Sequence, residues 1–99
     1  MQENRIRLTG EITIRNAAEL RRRFTDALDR KADLVADLST VESCDAAGLQ
    51  LICSSRKTAT ARGLRLRIES LSPAIEAAAR GIGLPLVELT GQEGADDGL

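Results

Sequence analysis

Three features of this 99-residue chain predict an α/β domain with parallel strand pairing. Short apolar segments with a two-residue period alternate with longer segments at helical spacing. Strand–helix–strand units recur, which favours parallel neighbours joined by right-handed crossovers. Glycine, proline, serine and asparagine stand at the junctions. The order read from the chain is strand, strand, helix, strand, helix, strand, helix, strand. Residues 1–90 form one domain, and the polar, acidic, glycine-rich stretch 91–99 reads as a flexible tail.

Arg5–Leu8 alternates with Ile6 and Leu8 on one side, Gly10 marks a turn, and Glu11–Arg15 alternates again with Ile12 and Ile14 inward, the pattern of an N-terminal hairpin. Asn16 followed by Glu19 resembles a capping box. It opens a helix whose buried face is Ala17, Leu20, Phe24, Ala27 and Leu28, with Arg21, Arg22 and Arg23 on a solvated side. Leu34–Leu38 is a short apolar run suited to a strand covered on both faces. Asp37-Leu38-Ser39 closes that strand, a loop follows, and a second helix runs from about Ala46 to Arg62 with Gly63 as its stop. Leu64, Leu66 and Ile68 alternate as a further strand. Ser72-Pro73 is a cap and first-turn proline, leading a third helix with Ile75, Ala78, Ala79 and Ile82 inward. Leu86–Leu89 reads as a last short strand.

Composition narrows the function. Charge is high but balanced at a formal net of −1, so neither nucleic acid nor a membrane surface is indicated as partner. Phe24 is the only aromatic residue, which removes the stacking rings a single-strand nucleic-acid binder uses. The chain has no histidine, which excludes histidine acid–base catalysis and histidine metal ligation. Cys44 and Cys53 form no CxxC pair, and no signal segment or membrane-length apolar run is present. These features fit reduced thiols and a cytoplasmic location. Cys44 lies beside a helix start, but Asp45 next to it disfavours a thiolate and no histidine base is available. No cofactor is called for.

The stretch around Asp45 raises a question. Asp45 suits the cap of the second helix, whose free N–H groups and dipole would hold an anion, yet its first turn contains Ala46, Ala47 and Gly48, without a hydroxyl or cation. Further along, one helix face carries Gly48, Leu51, Ile52, Ser55 and Ala59, which suits packing on a sheet. A second stripe carries Ala46, Leu49, Gln50, Cys53 and Lys57. It reads either as packing beneath a neighbouring loop or as a docking surface.

The stretch DLSTVESCDAAGLQLICSSRK resembles the signature of STAS domains, the anti-sigma factor antagonist family. The likeness extends through the NAAELRRRF helix start and the GLRLRIESLSPAIEAAARGIGL segment. The resemblance implies a mixed β-sheet with helices packed on one side, and a non-enzymatic protein-interaction module. In phospho-switched members the residue after the motif aspartate is a serine or threonine, phosphorylated by a partner kinase. Here that position is Ala46, which cannot be phosphorylated, and Ala47 follows. Asp45, Gly48 and Leu49 are kept.

The resemblance therefore implies a partner-binding surface of Asp45, Ala46, Ala47, Gly48, Leu49, Gln50 and Cys53 that is constitutively competent. Ser39 and Ser43 are the candidate substitute phosphosites, although Asp37 and Ser39 also suit a local side-chain turn. The implied partner is a protein, either a serine-kinase anti-sigma factor or a chemotaxis signalling protein, with the domain a monomer or weak dimer and not inserted in a membrane. The alternative is an accessory subunit of a lipid-transport ABC complex.

Overall fold

The computed structural model describes residues 4–90. Its elements are β1 (Asn4–Ile12), α1 (Ala17–Leu28), β2 (Leu34–Cys44), α2 (Ala46–Ala61), β3 (Leu66–Leu71), α3 (Pro73–Gly81) and α4 (Val87–Thr90). The α/β class and the two strand–helix–strand crossovers are as expected. Three elements differ from the sequence reading, each for a physical reason.

The N-terminal hairpin is absent. Residues 4–12 form a single strand that runs parallel to β2 over its whole length, from Asn4 opposite Leu34 to Ile12 opposite Cys44. Pairing with so long a neighbour satisfies the backbone groups that a hairpin return would have used. Gly10 takes a positive φ of 77° where the register shifts between Gly10 and Glu11, so it makes an irregularity within the strand and not a turn. Ile14, expected inward on the second hairpin strand, is 70% exposed.

The loop expected after Leu38 is also strand, because β2 continues to Cys44. It is the central strand, parallel to both neighbours in the order β1-β2-β3. Among the described residues the sheet is wholly parallel, where the resemblance implied a mixed one.

The last expected strand is the short helix α4. Pro85 fixes a helical φ at its start, and the carbonyls of Pro85 and Leu86 accept from the N–H groups of Glu88, Leu89 and Thr90. A strand over 86–89 would set Leu86 and Leu89 on opposite faces. The helical turn instead buries Leu89 and leaves Leu86 and Val87 partly exposed.

Asn16 stands at the start of α1 without making a side-chain bond into the helix. Its Oδ1 accepts from the Thr13 N–H at 2.9 Å and its Nδ2 donates to the Glu11 carbonyl at 2.7 Å. The residue therefore ties the β1–α1 turn together, and the capping-box reading is corrected to a turn clamp. Leu20, Phe24, Ala27 and Leu28 are buried as the helical period required. Ile82, expected on the inner face of α3, lies beyond its last turn and is 58% exposed.

One aliphatic core holds the layers together. From the sheet come Leu8, Ile12, Leu34, Ala36, Leu38, Val41, Leu66 and Ile68, and Phe24, Leu28, Leu51, Ile52, Ala59, Ile75 and Ala79 meet them from the helices. The opposite sheet face is charged. Val35 lies there in register between Arg5 and Arg67, an Arg5–Glu69 ion pair spans the same face, and Arg7 Nε meets Asp37 at 3.4 Å. Helices thus cover one side only.

Candidate partner-binding groove

The start of α2 is fixed by one side chain and one missing side chain. Asp45 is extended, at φ −123° and ψ −175°, as a helix cap should be. Its Oδ1 accepts from the Gly48 N–H at 2.9 Å, and its Oδ2 accepts from the Ile14 N–H at 3.1 Å. One carboxylate therefore caps α2 and pins the β1–α1 turn to it. These backbone N–H bonds, that from Gly48 first and that from Ile14 second, lower the Asp45 pKa. Gly48 passes so close to the end of β1 that an added Cβ would overlap the Ile12 carbonyl oxygen and lie 2.8 Å from its carbon.

This answers the question raised by the motif. Asp45 and Gly48 are required by the joint between β1 and α2, whether or not any ligand binds there.

Beside this joint lies an open groove of about 570 Å³. The stripe read from the sequence lines it: Ala46, Leu49, Gln50, Cys53 and Lys57, together with Ala47. Ala46 and Gln50 are exposed and Ala47 and Cys53 half-buried. Leu49 is only 1% exposed and joins the core, so it forms the floor of the groove. Asp45 and Gly48 shape the groove from behind without lining it.

Sequence reasoning missed the other walls. Ile14, Ala17 and Arg21 come from the β1–α1 turn and α1, and Ile82 and Leu84 from the segment after α3. Both isoleucines had been assigned inward positions in elements that end before reaching them. The only sequence signal was an apolar residue just outside an element boundary, and boundaries are the least legible part of a pattern.

The two candidate serines lie elsewhere. Ser39 is exposed, its Oγ donates to Asp37 Oδ1 at 2.7 Å, and its N–H donates to the same oxygen at 2.9 Å. These bonds are the main reason the Asp37 pKa is lowered. Ser43 is exposed on β2 opposite Glu11. Neither lines the groove.

The thiols are poorly suited to nucleophilic chemistry. Burial, with the Asp45 charge second, pushes Cys44 up to about 11. Burial, with Glu88 second, also raises Cys53, whose Sγ lies 3.6 Å from the Glu88 carbonyl oxygen. Arg56 Nη1 donates to that same carbonyl at 2.7 Å, so α4 is fastened to α2 at the far end of the groove. Among the described residues no cluster of three His, Cys, Asp or Glu is placed to hold a metal ion.

The one-sided α/β layer is a STAS-like fold. The family model described as "Mlab, STAS domain" matches residues 1–89, and the chain belongs to the STAS family. A solved structure titled "Crystal Structure Analysis of Mglu" is similar in fold, with a TM-score of 0.62 and 24% sequence identity over 74% of this chain. The match spans only 19% of that protein's length. At the level of the family, this is a regulatory module that mediates protein–protein interactions. No helix among the described residues is long and apolar enough to cross a membrane.

Proposed function

We propose that this domain is a non-enzymatic, cytoplasmic docking module of the anti-sigma factor antagonist type in bacterial signalling, with the groove at the start of α2 as its partner-binding surface. The observation that carries the reading is Ala46: exposed, lining the groove, and in the first position of a capped helix. In phospho-switched relatives this position holds a hydroxyl. A phosphate there would add about −1.5 to −2 charges near neutral pH. The helix start tolerates that charge in the free domain, whereas an apolar or acidic partner surface does not. With alanine the surface stays in its binding form, and control lies in the partner or in a phosphorylatable relative competing for it. The partner is a serine-kinase anti-sigma factor or a chemotaxis-linked signalling protein.

A second reading, left open by the same resemblance, is an accessory subunit of a lipid-transport ABC complex. It uses the same groove with a cytosolic ATPase as partner. A photo-crosslinking residue at exposed Gln50, with one at exposed Glu42 as control, tests both readings in cells. A single crosslinked protein from Gln50 alone supports the groove, and its identity chooses the pathway. Equal labelling from both positions contradicts it.

A further inference from the structure

Resting on the reading of the groove as the docking surface, we infer that its occupant is an amphipathic α-helix of the partner, about three turns long, carrying acidic residues beside its apolar stripe.

Three observations carry this. The first is the wall material. No strand lines the groove, because its sides are α1, α2, the β1–α1 turn and the segment after α3. A partner segment lying there cannot complete its backbone hydrogen bonds on a sheet edge. It must satisfy them within itself, which a helix does. Ala17, Ala46 and Ala47 leave room for such a helix to approach closely.

The second is the distribution of apolar surface. Only four large apolar residues are notably exposed among the described residues, and the two most exposed, Ile14 and Ile82, both belong to this groove. Leu49 and Leu84 line it as well, so an apolar stripe inserted here would meet aliphatic side chains from α2, the β1–α1 turn and the segment after α3. The stripe from Ala46 to Lys57 spans roughly 16 Å along α2, or about three helical turns.

The third is charge. The lining includes two cations, Arg21 on α1 and Lys57 on α2, and no acidic side chain. Among the described residues neither is in an ion pair. Glu88 influences Cys53 electrostatically but is not part of the wall. Two cations in the lining of an apolar groove, without an acidic neighbour in that lining, favour carboxylates beside an apolar stripe and disfavour a basic helix.

The test is selection from a phage-displayed library of helix-forming peptides of about 16 residues. Leucines are fixed at i, i+3 and i+7, and the flanking positions are randomised. Recovered peptides are measured by fluorescence anisotropy against wild type, Ala46→Asp and the double variant Arg21→Glu, Lys57→Glu, each shown by circular dichroism to be folded. The expected result is enrichment of Asp and Glu at the flanking positions, no binding to Ala46→Asp, and about 3- to 10-fold weaker binding to the double variant. Charge-reversed peptides carrying lysine should regain affinity on that variant.

Peptides that lose binding on Ala46→Asp but show no acidic preference overturn the inference and leave the docking surface standing. Peptides indifferent to Ala46→Asp, or no enrichment over an unrelated bait, overturn both. A wild-type dimer in sedimentation that Ala46→Asp dissociates makes a second copy the occupant and also overturns the inference.

Discussion

Gly48 lies against the carbonyl of Ile12 so closely that a single added carbon would overlap it. The joint between the first strand and the second helix depends on that missing side chain, and the groove is built on the joint. Gly48→Ala is expected to destabilise the domain by about 1–3 kcal/mol through overpacking against backbone that cannot move aside. Gly63→Ala provides the contrast. There the space is open and the φ of 75° is the only obstacle, so the cost is about 1 kcal/mol. Urea unfolding of the two variants checks the order.

Asp45 makes stability depend on pH in a defined direction. Its folded-state pKa is below the ordinary carboxylate value of 3.8 because its carboxylate accepts backbone N–H groups, that of Gly48 first and that of Ile14 second. The stabilisation is therefore fully present above the unfolded-state pKa and is lost as pH falls through the lower folded-state value. Asp45→Asn keeps one acceptor for the Gly48 N–H but places an amide against the Ile14 N–H. The variant should melt below wild type at pH 7, and the gap should close as pH falls below 3.8 toward the folded-state value. Thermal melts between pH 7 and pH 2 measure it. A gap that stays constant contradicts the role given to the carboxylate.

Cys44 should be nearly inert. With its pKa pushed up to about 11 from 9.0, its thiolate fraction at neutral pH falls about 100-fold below that of a free thiol. In a Cys53→Ser background, labelling of Cys44 by a chromogenic disulfide should be slow and should reach the free-thiol rate on unfolding in urea. Fast labelling of the folded domain contradicts this and reopens a thiol chemistry.

Leu89 tests the last helix. It is completely buried on an element of four residues. Leu89→Ala should cost about 2–5 kcal/mol, whereas Val87→Ala on the exposed side should cost little. Equal, small effects would mean that α4 is not anchored as described.

How much was legible follows from where the information lies. The core faces of α1 and α2 were readable because burial repeats every three or four residues. Leu20, Phe24 and Leu28, and Leu51, Ile52 and Ala59, all fall where the period puts them. The groove-facing stripe of α2 was readable for the same reason. The hairpin was misread because Gly10 in a strand irregularity and Gly10 in a turn have the same local sequence. Only the parallel neighbour, far along the chain, separates the two. Asn16 was misread because a side chain that ties a turn and one that caps a helix are the same residue in the same place. Ile14 and Ile82 became groove walls only through tertiary packing, which no local pattern records.

Ala46 is proposed to sit on a surface used for docking and not for folding. Affinity capture from native lysate, run in parallel with wild type and Ala46→Asp and read by quantitative mass spectrometry, tests it most directly. Melting curves are taken on the same preparations. Both proteins should melt within a few degrees of each other, because Ala46 is exposed at a helix start that tolerates negative charge. A specific protein retained by wild type should be lost by the variant. Retention of the same protein by both would contradict the docking role.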